Sequence, residues 1–176
     1  VAPIDCDALT VNAYLGYDGI KPFIDICHKR GKGIFVLVKT SNPSSGDLQD
    51  VEVSEKKIPA YELVAQFSES WGADEVGSSG YSLVGAVVGA TYPAEAVRLR
   101  KLLPHTYFLV PGYGVQGGGA ADVAPCFNKD GLGAIVNSSR GIIYAYEKSK
   151  AGEDGYAEAA REATLRMKKD LEKAIA

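Results

Sequence analysis

Three clusters of residues in this sequence are of types that could bind or transform a ligand. The first is Pro111-Gly112-Tyr113-Gly114-Val115-Gln116-Gly117-Gly118-Gly119, where backbone without side chains can approach a ligand closely and turn N–H groups toward an anion. It contains G-x-G-x-x-G at Gly112, Gly114 and Gly117, the dinucleotide fingerprint. That motif should open the first strand–helix unit and be answered by an acidic residue ending the next strand. Here the next strand-like run ends in Asn137, so the dinucleotide reading fails in context. The second cluster is Asn137-Ser138-Ser139-Arg140-Gly141, following Ala134–Val136. A helix starting there would aim free N–H groups and the Arg140 guanidinium at one point, an arrangement that holds a phosphate. On the plainer alternative Ser138 and Ser139 only cap the helix and Arg140 pairs with a surface carboxylate. The third is Lys39-Thr40-Ser41-Asn42-Pro43-Ser44-Ser45-Gly46. Ser41 and its neighbours could hydrogen-bond a polar heterocycle or sugar, or form an ordinary turn. Lys39, at a strand end, could be catalytic, although a snorkelling or ion-paired lysine is commoner.

Other chemistries find no support. His28 and His105 are the two histidines, each in a helical pattern or its exit loop, and they suggest neither a His-based triad nor a metal cluster. No G-x-x-x-x-G-K-[ST] loop occurs. Lys+Arg 19 against Asp+Glu 22 leaves a formal charge of -3, and no run of like charges marks a polyanion-binding arm. No apolar stretch approaches the roughly 18 residues of a membrane span, and no basic-then-apolar leader opens the sequence. Cys6, Cys27 and Cys126 are odd in number and far apart. They fit a reducing compartment and are expected to be small core residues. The expectation is a soluble, cytoplasmic chain, which also discounts Asn137-Ser138-Ser139 as a glycosylation sequon.

The elements that must position these clusters are legible as alternating patterns. With 176 residues, 46% of them hydrophobic, the chain can bury one core, and a single domain over 1–176 is expected. Five Val/Ile/Leu-rich runs, Ala8–Asn12, Ile34–Lys39, Leu83–Ala90, Tyr107–Pro111 and Ala134–Asn137, lack strict polar alternation and read as strands buried on both faces. Between them Ile20, Phe23, Ile24 and Cys27 predict a helix stopped at Gly31, with Pro22 in its first turn. Leu63, Val64, Phe67 and Trp71 predict another ended by Gly72, and Ala96, Leu99 and Leu103 a third between Pro93 and Pro104. Ala120, Val123 and Phe127 suggest a short or kinked one around Pro125. The last helix carries an apolar stripe of Tyr156, Ala160, Ala163, Met167, Leu171 and Ile175, with Glu162 and Arg166 on its wet side. The polar stretch Ser44–Lys57 reads as a surface excursion after the second strand, a lid or a plain insertion.

Strand and helix in steady succession mean βαβ units and a parallel sheet, hence an α/β fold. Its closure is an open doubly wound sheet or a (β/α)8 barrel, and in both the ligand sits at the C-terminal ends of the strands. A barrel takes about 250 residues and eight strands, so five strands would be about the last five units, with the N-terminal strands absent. The opening Val1-Ala2-Pro3-Ile4 runs almost directly into a strand, which suggests a fragment. Neighbouring strand ends bearing Gln116 and Arg140 reproduce the phosphate site that barrels build from their last two loops.

The strand ends resemble a specific family. Asp7–Asn12 with Tyr14-Leu15-Gly16, Phe35–Pro43, Val87–Pro93, Pro111–Gly118 and Asn137–Gly141 look like orotidine 5'-phosphate decarboxylases, closest to the bacterial type 2 branch, in family order across almost the whole chain. The resemblance implies a (β/α)8 barrel, a homodimer, no cofactor, and conversion of orotidine 5'-phosphate to UMP and carbon dioxide in pyrimidine synthesis. By position, Ser41 would recognise the pyrimidine and Pro111 would line its pocket. Gln116 would span from base to phosphate, Gly117 and Gly118 would leave room for the closing loop, and Arg140 with the Ser139 backbone would hold the phosphate. The family's reactive Lys-Asp-Lys-Asp network, with its Asp-x-Lys-x-x-Asp motif, has no counterpart. Asp18, Lys21 and Asp25 have the wrong spacing and fall in a helical pattern. The resemblance therefore implies a chain that begins at the fourth strand, holds base and phosphate, and is inactive alone. Another phosphate-sugar barrel, an epimerase or isomerase, or a binding module without activity, are the alternatives.

Overall fold

The computed structural model describes residues 5–53, 55–114, 117–149 and 152–176. The chain enters strand β1 (Ala8–Val11), turns at Gly16 and runs through helix α1 (Tyr17–Arg30), which Gly31 ends in the left-handed conformation with φ 62°. Strand β2 (Gly33–Lys39) follows, then the four-residue helix α2 (Gly46–Gln49) and a small antiparallel pair, β3 (Glu52–Val53) with β4 (Ile58–Pro59). Helix α3 (Ala60–Trp71) stops at Gly72 and leads to β5 (Val84–Val88). Helix α4 (Pro93–Leu102) takes Pro93 in its first turn, where a missing N–H costs nothing. Strand β6 (Phe108–Val110) is followed by α5 (Ala120–Val123), cut short as Pro125 requires. Strand β7 (Ala134–Val136), α6 (Ser139–Ile143) and the long α7 (Tyr156–Ile175) complete the order.

The main sheet runs β1-β2-β5-β6-β7, every pair parallel. Each strand lies beside its predecessor in the sheet, so the progression never reverses. A doubly wound sheet reverses at its switch point, whereas a barrel steps round in one direction. The architecture is thus α/β, five consecutive βα units of the (β/α)8 type. Central β5 is buried at all five positions, and along β2 Ile34, Val36 and Val38 are buried while Phe35 and Leu37 are only half-buried. The buried positions meet the helices. Val11, Ile34, Val36 and Val84 pack with Ile20, Ile24 and Cys27 of α1, while Val38, Val88, Phe108 and Val110 share a second cluster with Tyr61, Ala65 and Leu99 of α3 and α4.

At the end of the sheet away from the strands' C-termini, Arg100 is buried and has no carboxylate partner among the described residues. Its guanidinium lies over the Phe108 ring at 4.0 Å and donates to the carbonyls of Leu103, Thr106, Cys126 and Gly133. It thereby joins the exit of α4 to the residues that lead into β6 and β7, a structural device on the face where barrels carry stability rather than chemistry.

Several expectations need correction. Helix α1 starts at Tyr17, so Pro22 lies beyond the first turn. Helix α3 buries Tyr61, Glu62, Ala65 and Ser68, while Phe67 is 42% exposed and stacks on Trp71 at a ring distance of 5.6 Å. The polar Glu62 is admitted because Arg98 of α4 reaches it at 2.7 Å, and Ser68 because its hydroxyl bonds the Val64 carbonyl. In α7 the stripe is right except that Tyr156 is exposed and Ala159 is the buried residue. Cys27 and Cys126 are core residues, but Cys6, beside the sheet edge, is exposed. Among the described residues no helix is long and apolar enough to cross a membrane.

Candidate functional site

The C-terminal ends of the strands form one rim, and small residues let its members touch. After β2, Ser41 packs on Gly89, where a Cβ would come within 2.9 Å of the serine backbone nitrogen. Beyond β5, the Ala90 N–H donates to the Pro111 carbonyl at 2.8 Å, tying the rim to the end of β6. Gly118 then lies over Ala90, where a Cβ would sit 2.7 Å from that of the alanine. Beyond β7, the Ser138 hydroxyl donates to the Tyr113 carbonyl at 3.0 Å. Ser41, Pro111, Gly118 and Ser138 therefore follow one another along neighbouring strand ends, as the parallel order demands.

The glycine segment curls back on itself. Gly114 N–H donates to the Gly118 carbonyl at 2.7 Å and Gly117 N–H to the Gly114 carbonyl at 2.9 Å. Gly112, Gly114 and Gly117 have φ of 103°, 80° and 99°, values that L side chains rarely adopt. The helix this loop opens, α5, has four residues, too short for the dinucleotide arrangement. Gly117 is exposed and Gly118 buried; Gln116, with Val115, lies outside the described residues.

A cavity of about 70 Å³ opens between this loop and α6, lined by Pro111, Gly112, Tyr113, Asn137, Ser138, Ser139, Arg140 and Gly141. Since a water occupies about 30 Å³ of liquid, it admits a group of a few heavy atoms. Ser139 and Arg140 are exposed at its mouth. The plainer expectation for this segment is not met: Ser138 makes no side-chain cap, since its hydroxyl is spent on Tyr113, and no ion pair among the described residues involves Arg140. A guanidinium at a concave mouth, together with first-turn N–H groups without helical acceptors, can grip an anion. Asn137, part of the second cluster but given no role of its own there, lines the same cavity, and its Oδ1 is buried without a partner among the described residues. Its signal was its place as the last residue before the Ser-Ser-Arg turn.

Asp170, a residue that sequence reasoning does not mark, supports the loop from behind. Tyr113 donates its hydroxyl to Asp170 of α7 at 2.5 Å. Burial first, and then the Asp170 carboxylate, push the Tyr113 hydroxyl up to about 12. Periodicity marks the apolar face of α7, but nothing in it announces a polar contact 57 residues away.

Lys39 faces elsewhere. Its side chain is fully buried and its Nζ meets Asp50 Oδ1 at 2.6 Å, between the Tyr92 ring at 4.4 Å and the Tyr61 ring at 5.4 Å. Asp18, Lys21 and Asp25 lie on α1, with Lys21 and Asp25 paired on its exposed face at 2.7 Å. Among the described residues no three His, Cys, Asp or Glu side chains are grouped to hold a metal ion. His28 sits on α1 beside Glu75 at 2.9 Å, and His105 bonds the Gly80 carbonyl.

Comparison with known proteins adds an independent line. Residues 2–154 match the family described as Orotidine 5'-phosphate decarboxylase / HUMPS. An orotidine 5'-phosphate decarboxylase of Rhodopirellula baltica is 47% identical over 174 residues, covering 97% of this chain and 57% of the relative. One of Caldicellulosiruptor bescii is 55% identical over 141 residues, covering 80% of this chain and 46% of the relative. The chain thus spans about half the length of these curated relatives. Among solved structures, Leishmania donovani OMP decarboxylase superposes with a TM-score of 0.63 at 33% identity, covering 90% of this chain and 56% of that one.

Proposed function

The chain belongs to the orotidine 5'-phosphate decarboxylase / HUMPS family, and from that premise we propose that it supplies the phosphate and pyrimidine contacts for conversion of orotidine 5'-phosphate to UMP and carbon dioxide. The observation that carries the reading is the continuity of the rim, from Ser41 through Pro111 and Gly118 to the Arg140 cavity. A nucleotide laid along it has its base at the β2 and β6 ends and its phosphate between the glycine loop and α6. Arg140 and the Ser139 backbone hold the phosphate, Pro111 and Ser41 receive the pyrimidine, and Gly117 and Gly118 keep the loop thin enough to close. Gln116 bridges base and phosphate in this reading.

Decarboxylation leaves an anion at C6 of the pyrimidine that must be stabilised and then protonated. In this proposal that task falls to a Lys–Asp network outside this chain's rim, because Lys39 is committed to Asp50 and Lys21 to Asp25. The chain's own contribution is remote binding energy. Gripping the phosphate drives loop closure and holds the base in register with the reacting groups.

Further βα units completing the barrel belong to the same reading. Support comes from the β1 edge, where exposed Leu9, Phe23 and Ile26 border a groove of about 1020 Å³. A homodimer is proposed as well. Tyr14, 83% exposed, lies with Leu48 beside a cleft near the β2 end, and its chain neighbour Leu15 is 78% exposed, an apolar surface of the sort subunits cover. The cytoplasm is the proposed compartment, in keeping with three free cysteines. The relatives named above favour the decarboxylase over an epimerase or isomerase.

Replacing Arg140 tests the assignment. Hydrogen bonds to charged groups contribute roughly 1.5–3 kcal/mol, so Arg140→Ala is expected to weaken UMP about 10- to 100-fold by calorimetry and leave uridine nearly unchanged. Equal losses for nucleotide and nucleoside overturn the phosphate role.

A further inference from the structure

Lys39 is the one fully buried lysine side chain of the ion pairs described, and the function proposed above does not use it. Its direction is set by an irregularity in the sheet. The β2–β5 register runs Leu37 opposite Val87 and then Lys39 opposite Val88, so β2 carries an extra residue at this point. A bulge of this kind re-aims a side chain. Val38 and Lys39 are consecutive yet both buried, and Lys39 reaches between the Tyr92 ring, just before α4, and the Tyr61 ring on α3. The cation is enclosed by Tyr61, Tyr92 and Asp50, and of these Asp50 ends α2 in the excursion after β2.

The same excursion holds the strand end at further points. Gln49 accepts from the Thr40 N–H at 3.0 Å and donates to the Thr40 hydroxyl at 2.8 Å. Ser45 meets the Tyr92 hydroxyl at 3.1 Å, and the Lys39 carbonyl accepts from Gly89 N–H at 2.7 Å. Ser41 follows Thr40 and is packed on Gly89.

We propose that Lys39 is a positioning residue: anchored between Asp50 and the two tyrosines, it clamps the excursion onto the end of β2 and so fixes Ser41 for recognising the pyrimidine. The proposal rests on the base-recognition reading of Ser41. It gives the 44–57 excursion a task, a brace for base recognition rather than a lid, and explains a costly buried cation, since a lysine stripped of water needs its charge met by a carboxylate and ring faces.

The experiment uses the whole chain and the mild variants Asp50→Asn and Gln49→Ala beside Lys39→Met, with Ser41→Ala as reference and Asp50→Glu as the conservative rescue. UMP and ribose 5-phosphate affinities are measured by calorimetry, and amide exchange by mass spectrometry. Asp50→Asn is expected to weaken UMP about tenfold, leave ribose 5-phosphate within about twofold, and speed exchange at residues 40–45 but not in β5 or β6. Asp50→Glu should restore most of both. Unchanged exchange at 40–45 in Asp50→Asn overturns the clamp whatever the ligand data. Equal weakening of both ligands also overturns it, since a general loss of structure would do that. If Ser41→Ala leaves UMP binding intact while the clamp variants speed exchange, the base-recognition reading falls and the clamp stands as a support of the excursion alone.

Discussion

At the scale of single residues the rim works by what is left out. Glycines at 89 and 118 remove the atoms that would keep β2, β5 and the loop apart, and Asn137 lines the cavity with its Oδ1 buried and without a partner among the described residues. Tyr113 illustrates how a residue behind the site sets its behaviour. Its hydroxyl holds its proton up to about 12, against an ordinary value of 10.0. The folded state thus binds this proton more tightly than the unfolded chain, so the contribution to stability is complete below pH 10 and is lost as pH rises from 10 to about 12. Tyr113→Phe is therefore expected to remove part of the alkaline fall in urea stability between those values and to leave the curve at pH 7 to 9 nearly parallel; an unchanged alkaline limb counts against the Asp170 contact. Residue types also mark the limit of what the sequence makes legible. Ser41, Pro111 and Arg140 stand out as strand-end residues beside turn formers, while Asp170 and Asp50 look like ordinary surface acids until the fold brings partners to them.

At the scale of elements, the five strands of the main sheet lie within a residue or two of their apolar runs, while the β3–β4 pair, in and just after the polar excursion, has none, and Gly31, Gly72 and Pro93 mark helix ends as capping chemistry predicts. What periodicity could not show was register. The bulge at Lys39 depends on how β2 and β5 pair, which no single segment encodes. Periodicity misplaces the buried face of α3 for a related reason, because Arg98 on α4 makes Glu62 a tolerable core residue, while Phe67 stays at the surface against Trp71. The contact between the ends of β2 and β5 predicts an element-level effect. Gly89→Ala places a methyl within 3.0 Å of the Ser41 backbone, so the two strand ends must separate. Overpacking of this kind costs about 1–3 kcal/mol. The urea midpoint should fall accordingly, with UMP binding lost before ribose 5-phosphate binding; a neutral substitution would show that the rim has slack there.

At the scale of the whole molecule, a parallel sheet of five strands has two unpaired edges. Along β7, Ile135 is 52% exposed, with Leu132 and Ile143 exposed nearby, and along β1 Leu9 is 48% exposed. Unpaired backbone beside apolar side chains is a template for association. Ile135→Lys is expected to lower the concentration-dependent light scattering of the chain while changing its unfolding free energy by no more than about 0.5 kcal/mol, as exposed substitutions do. Scattering that persists unchanged would direct attention to the β1 edge or to the Tyr14–Leu15 surface.

The contact from Tyr113 to Asp170 also bears on synthesis. Because α7 follows the glycine turn by several dozen residues, the hydrogen bond that braces Tyr113 can form only once Asp170 has left the ribosome, and a frameshift ahead of Asp170 would remove that brace although every residue of the cavity had already been translated.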